Sequence, residues 1–364
     1  MRYEQEPNID ANSIRIIGAK LGAATIIANS HGDTWDAAWT EDGTLYVSSD
    51  DTYGFDNSCN SNLAFHRLDG DDPYDLTGVT INGMEEYDPL FGILESDGCC
   101  WKAMGVASID GTLYMTISRH RYGMSRVDPM KRQQAFNASI IKSTDGGKTW
   151  TPSAADNRVN PMFYAYRFGT PSFVKYGRDG EARVHNADHY VYAVSNNGYW
   201  DNGDDVVLGR VLREKMSSLN GNDWEFYRGG NGMVDASWSK IIYDAEPIHH
   251  NPGKCSMTSV QYIEPLYRYV MIAWYYTAGS GEVGHRETVW EFYESPTPWG
   301  PWTKFSAFLF FPQGYYNPCI VPKFISTDGK NLILFTNGDF ITNQRSPEEN
   351  IYKLTMIPCE LETE

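Results

Sequence analysis

The sequence predicts an all-β fold: a five-bladed β-propeller in a single domain, its ring closed by an N-terminal strand. Three observations predict it. One two-strand unit recurs five times, four of the five units turn on an Asp-Gly pair, and few segments read as helix. The units are Asp36–Asp51, Met104–His120, Pro171–Asn197, Met257–Tyr276 and Pro318–Asp339. Asp42-Gly43, Asp110-Gly111, Asp179-Gly180 and Asp328-Gly329 sit between their strands, and Asp-Gly supplies the positive φ that a tight hairpin needs. The fourth unit uses Glu264-Pro265 instead.

The remaining elements follow in order. Leu63–Leu68 and Asn137–Lys142 read as third strands, and Trp150, Trp224 and Trp302 stand where outer strands begin. Such spacing suits four-stranded blades. The C-terminal run Ile351–Pro358 lacks a partner in its own blade, and Ser13–Ala28 is expected to supply it and close the ring. Residues 1–12 read as a flexible tail, and Val211–Leu219 as the best short helix. A β-sandwich is the competing architecture, but it gives no reason for five like hairpins. Gly and Pro are spread through the turns with no linker or composition shift, so 1–364 is taken as one domain.

Composition narrows the partners. Net charge is −17, against nucleic acid, which needs cations to neutralise phosphates, and against an anionic membrane surface. No apolar run approaches a membrane span, and MRYEQEPNIDANS is no signal peptide. The six cysteines have no metal-type spacing and read as a partial disulfide set or as scattered core thiols. Aromatics reach 14%, with 24 Tyr and 11 Trp. That excess suits either β propensity or a sugar-stacking cleft.

In a propeller the inner strands of all blades end around one axis, so matching positions of the five units converge. The residues at those ends form a rim of carboxylates, cations, amides and aromatics. Asp33 and Asp51 open and close the first hairpin and are the candidate catalytic pair. Two carboxyls with separated pKa values are the minimum equipment for cleaving a glycosidic bond. Asp50 competes with Asp51, because successive strand residues point to opposite faces. Candidate sugar-binding residues are Trp35, Asp50, Arg119, His120, Tyr122, Arg167, Asn196, Asn197, Tyr275 and Asn317. Arg119, His120 and Tyr122 suit a second chemistry as well, in which Arg neutralises a uronate while His or Tyr takes its α-proton.

Ser143-Thr-Asp-Gly-Gly-Lys-Thr-Trp150 matches the Asp-box turn S-x-D-x-G-x-x-W, a signal of fold rather than of function. His249-His250 has no third ligand nearby, so no metal is assigned. No cofactor is expected, a structural or active-site calcium ion being the one addition left open.

The run Gly32-Asp33-Thr34-Trp35, followed by Trp39, Asp42-Gly43-Thr-Leu-Tyr46 and Asp51, resembles the start of the five-bladed propeller glycosidases that include microbial endo-D-arabinanases. Further matches are Lys102, Asp110-Gly111-Thr-Leu-Tyr114, Asn137-Ala-Ser-Ile-Ile-Lys-Ser143 and the run Tyr293 to Trp302. The resemblance implies a five-bladed fold, furanoside hydrolysis of arabinan or arabinogalactan, and a catalytic pair at Asp33 and Asp51. Asp50-Asp51 departs from the Gly-Asp expected there, and the Arg119–Tyr122 cluster is a second departure. A rhamnose–glucuronate lyase-like enzyme is the alternative, and a non-catalytic sugar-binding propeller the third reading. The expected partner is a poly- or oligosaccharide. The expected location is secreted or periplasmic, from a chain whose signal peptide has been removed, with the cytoplasm as alternative. Oligomeric state is not legible in the sequence.

Overall fold

A computed structural model describes residues 14–87, 90–122, 133–181, 189–230, 236–277 and 287–364. The expected tail, 1–12, lies outside them. After β1 (Ile16–Leu21) and β2 (Thr25–Ile26), the first sheet runs β3 (Ser30–Trp39), β4 (Leu45–Phe55), β5 (Ser61–Asp69) and β6 (Thr77–Asn82). The second holds β7 (Cys99–Ile109), β8 (Thr112–Arg121) and β9 (Gln134–Ser143), and is followed by helix α1 (Ala154–Val159).

The next sheet has ten strands. They are β10 (Ser172–Lys175), β11 (Tyr190–Asn196), β12 (Gly203–Leu212), β13 (Glu225–Tyr227), β14 (Trp238–Ser239), β15 (Pro247–Cys255), β16 (Ser259–Ile263), β17 (Arg268–Tyr276), β18 (Thr288–Ser295) and β19 (Thr303–Phe310). The segment expected to be helical over 211–219 yields only the short α2 (Arg213–Met216), because β12 continues through Leu212. The last sheet contains β20 (Tyr316–Ile320), β21 (Asn331–Asn337) and β22 (Thr355–Thr363), with α3 (Phe340–Arg345) between the last two.

All five expected hairpins are antiparallel pairs: β3–β4, β7–β8, β10–β11, β16–β17 and β20–β21. The expected ring of five separate blades, closed by the N-terminal strand, is corrected on two points. First, β10 and β16 pair in parallel and fuse two units into the ten-stranded sheet. Second, β1 pairs with β22 at the outer edge of the last sheet, so it extends that sheet outward and does not seal a ring. The ring stays open, its edges 12 Å apart. The result is an all-β, strand-rich, propeller-like single domain.

The core lies between neighbouring repeat units. Leu63 and Phe65 pack with Trp101 and Met115, and Val194 and Val206 with Val260 and Met271. Trp35, Leu45 and Val47 pack with Val321, Ile333 and Phe335 of the last sheet. On the inner strands one buried ion pair ties the units together. Lys175 on β10 donates to Asp36 on β3, and the other Asp36 oxygen accepts from Val106 N on β7 (2.8 Å). Gln261 on β16 donates to the Lys175 carbonyl (3.1 Å), and Cys319 on β20 to the Trp35 carbonyl (3.3 Å). These links hold five inner strands at fixed offsets.

Candidate active site

At the end where β3 begins and β4 finishes, a cavity of ≈ 410 Å³ opens among the inner strands. Asp33, Asp50, Asp51, Lys102, His120, Tyr122, Gln133, Trp200, Tyr276, Tyr316, Asp339 and Tyr352 line it. Asp33 and Asp50 face each other in register across β3 and β4. Strand alternation would turn Asp51 to the opposite side, but its φ of +43° and the loss of pairing at that position break the alternation. Register also shifts on β3 on both sides of Asp33, with Thr34 at φ +47°. Such bulges re-aim side chains, and here both adjacent carboxylates reach one cavity. The competition between Asp50 and Asp51 therefore has both on the wall.

Each carboxylate has its own surroundings. Asp33 accepts from the Tyr316 hydroxyl (2.5 Å) and from the Tyr352 hydroxyl. Burial, then the Asp51 charge, pushes its carboxyl up to about 7 against the opposing pull of Lys102 and the two phenols. Asp50 accepts from Thr34 Oγ1 (2.7 Å) and Ala103 N (2.9 Å); burial holds it well above the usual carboxylate range, against the pull of Lys102. Asp51 accepts from the Lys102 ammonium and from the Tyr122 hydroxyl (3.4 Å). Burial alone would lower the Lys102 ammonium, but the Asp51 charge prevails and holds it well above the ordinary lysine value. Burial, reinforced by neighbouring carboxylates, keeps the phenols of Tyr122, Tyr316 and Tyr352 protonated as donors.

Of the other expected site residues, His120 reaches the cavity, donating from Nε2 to Gln133 Oε1 (2.8 Å) with its ring 4.6 Å from Tyr122. Trp35 is fully buried in the core and donates to the Gly32 carbonyl (3.1 Å). Arg119 lies off the cavity, bound to Glu95 (2.8 Å) and Asp97 (2.8 Å). Arg167 pairs with Asp205 (3.2 Å). Asn196 donates to the Cys255 carbonyl (3.1 Å), and Asn197 accepts from Asp204 N (3.0 Å). Tyr275 stacks under Lys254, and Asn317 is buried at φ +50° beside Tyr316. The cavity instead takes the neighbours Tyr276 and Tyr316, and it takes Trp200, Tyr352 and Phe91, which sequence reasoning passed over. Strand alternation was the available signal for the first two.

Among the described residues, no group of three or more His, Cys, Asp or Glu could hold a metal ion. His250 pairs with Asp205 (2.6 Å), and His249 packs on Tyr293. None of the six cysteines is joined in a disulfide. No helix among the described residues is long and apolar enough to cross a membrane.

Two solved structures show the same fold. A candidate hydrolase of Bacteroides ovatus ATCC 8483 aligns at a TM-score of 0.55 and 16% identity, over 95% of this chain and 87% of that one. The exo-β-1,3-galactanase of Phanerochaete chrysosporium, with galactose, aligns at 0.50 and 10% identity, over 95% of this chain and 64% of that one. At such identities the likeness is one of fold. No curated protein matches. The family described as Domain of unknown function (DUF4185) matches residues 7–338.

Proposed function

We propose that this chain, which belongs to the DUF4185 family, is a glycoside hydrolase that cleaves furanosidic linkages in an arabinan- or arabinogalactan-type polysaccharide. One observation carries the reading: Asp33 and Asp51 share a cavity in opposed environments. Asp33, buried and raised to about 7, keeps its proton near neutrality and can give it to the leaving oxygen. Asp51 is gripped by an ammonium and a phenol, its side chain 19% exposed. In this reading it attacks the anomeric carbon or deprotonates a water. Trp200 and Tyr276 add aromatic surface to the cavity wall, which suits a sugar ligand.

Charge supports a neutral substrate. Asp33, Asp50 and Asp51 meet a single ammonium, Lys102. With the Asp33 and Asp50 carboxyls raised and Lys102 already paired to Asp51, no second ammonium or guanidinium among the described lining residues stands ready to neutralise a uronate. Arg119, the cation a lyase would use on a uronate, is held by Glu95 and Asp97 instead. A polysaccharide substrate makes a secreted or periplasmic protein part of the proposal.

The test is a screen of D-arabinan and uronate-bearing arabinogalactan, read by reducing ends and by ultraviolet absorbance. Asp33→Asn and Asp51→Asn are each expected to cut reducing-end release by about 10²–10⁴-fold with folding retained. Near-normal turnover in either variant removes that residue from the mechanism. Absorbing, unsaturated products would identify a lyase, and binding without turnover a sugar-binding module.

A further inference from the structure

We infer that Asp50 is a positioning residue: its single carboxyl ties the strand carrying Asp33 to the strand carrying Lys102, and so holds the two reacting carboxylates in place. This rests on the glycosidase reading above. Asp50 stands on the cavity wall, yet it is only 1% exposed and both its oxygens are taken by the protein. Oδ2 accepts from Thr34 Oγ1 (2.7 Å), one residue after Asp33 on β3, and that hydroxyl also lies 3.4 Å from Asp33 Oδ1. Oδ1 accepts from Ala103 N (2.9 Å), one residue after Lys102 on β7. Asp51, the next residue on β4 itself, accepts from the Lys102 ammonium. One side chain thus touches a neighbour of each group that the chemistry uses. Glycine, the residue that the resemblance leads one to expect here, could make neither bond.

The places it joins are those where the backbone departs from regular strand. Thr34 and Asp51 have φ of +47° and +43°, in the left-handed region that residues other than glycine avoid. Register shifts on β3 beside Thr34 and on β7 between Ala103 and Gly105. Such strained positions persist only where the surrounding contacts over-determine them. Asp50 supplies a contact to Thr34 and to Ala103, and it directly precedes Asp51. The Ala103 bond also passes from the first sheet to the second, which share no ladder among the described residues. It fixes β7 against β4 beside the Asp51–Lys102 pair. A misplacement of about 1 Å at a reacting group can cost about 10²-fold in rate, which is the scale on which such a tie acts.

The experiment measures kcat and KM for reducing-end release from D-arabinan by Asp50→Ala and Asp50→Asn. Asn keeps both bonds, its oxygen accepting from Ala103 N and its amide donating to the Thr34 hydroxyl, but it can neither attack carbon nor take up a proton. Asp50→Ala is expected to lose about 10²-fold in kcat with KM little changed. Asp50→Asn is expected to lose less than about tenfold in kcat. An Asp50→Asn variant as inactive as Asp33→Asn would make Asp50 a reacting group and overturn the inference while leaving hydrolysis standing. A raised KM with unchanged kcat in Asp50→Ala would make it a sugar ligand and overturn the inference equally. If circular dichroism finds Asp50→Ala unfolded, Thr34→Val, which removes the β3 hydroxyl and keeps the branched side chain, is read in its place. It is expected to lower kcat about tenfold with KM little changed, and an unchanged kcat counts against the tie. No product from any glycan would overturn the glycosidase reading and this inference with it.

Discussion

Asp33 is the residue at which burial and a neighbouring charge act in one direction, both favouring its neutral form. Its carboxyl rises from 3.8 to about 7. A raised acid stabilises the fold fully below its unfolded pKa, and that contribution is lost as pH climbs through the folded pKa. The wild-type melting temperature is therefore expected to fall between about pH 4 and pH 7 more steeply than that of Asp33→Asn. Thermal scans of both proteins across that window check this, and parallel slopes would contradict the assignment. Single residues were also where the sequence was hardest to read. The repeat pattern points to Tyr275 and Asn317, yet the cavity takes Tyr276 and Tyr316, one position away in each case. Which face of a strand meets the axis is set by local bulges, such as those at Thr34 and Asp51, and a repeat pattern does not reveal them.

At the level of elements the reading was better, because turn chemistry is local. Asp-Gly marked the hairpins, and Gly43, Gly111 and Gly329 do take positive φ. The third unit differs: its Asp179 accepts from Ser108 (2.5 Å) and from Gly111 N (2.8 Å), so it fastens the second hairpin's turn. The Asp-box turn forms as the motif requires. Asp145 accepts from Thr149 N (3.0 Å) and Trp150 donates to the Gly147 carbonyl (3.0 Å). Gly147 has φ +84°, and an added Cβ would lie 2.2 Å from the Phe65 ring. Gly147→Ala is expected to cost about 1–3 kcal/mol from overpacking in addition to the backbone strain. Gly111→Ala, at φ +72° with nothing within 4 Å, should cost the strain alone. Denaturant midpoints of the two variants separate the terms. Phe91, which also lines the cavity, was not legible, since its segment lies between repeats and carries no turn signature.

The whole molecule depends on contacts that no repeat announces. The Asp36–Lys175 pair is buried on both sides and joins strands that lie far apart in the chain. Removing one partner strands the other, at a cost of about 3–5 kcal/mol, whereas replacing both with apolar groups is often neutral or stabilising. Asp36→Ala is thus expected to destabilise strongly, and Asp36→Leu with Lys175→Met to recover part of that loss, the Val106 N–H still losing its acceptor. Equilibrium unfolding of the single and double variants checks it, and additive losses would rule out a shared axial role. The number of like units and their order followed from the sequence. The open ring and the fused sheet did not, because they arise from how units meet rather than from what each contains.

The phenols that bond Asp33 come from Tyr316 and Tyr352, near the opposite end of the chain from the acid they serve. During synthesis Asp33 leaves the ribosome long before either partner exists. A nascent or C-terminally clipped chain carries both carboxylates but lacks the surroundings that set the acid's proton. The surroundings of the Asp33 carboxyl are therefore complete only after Tyr352 has been made and has folded against it.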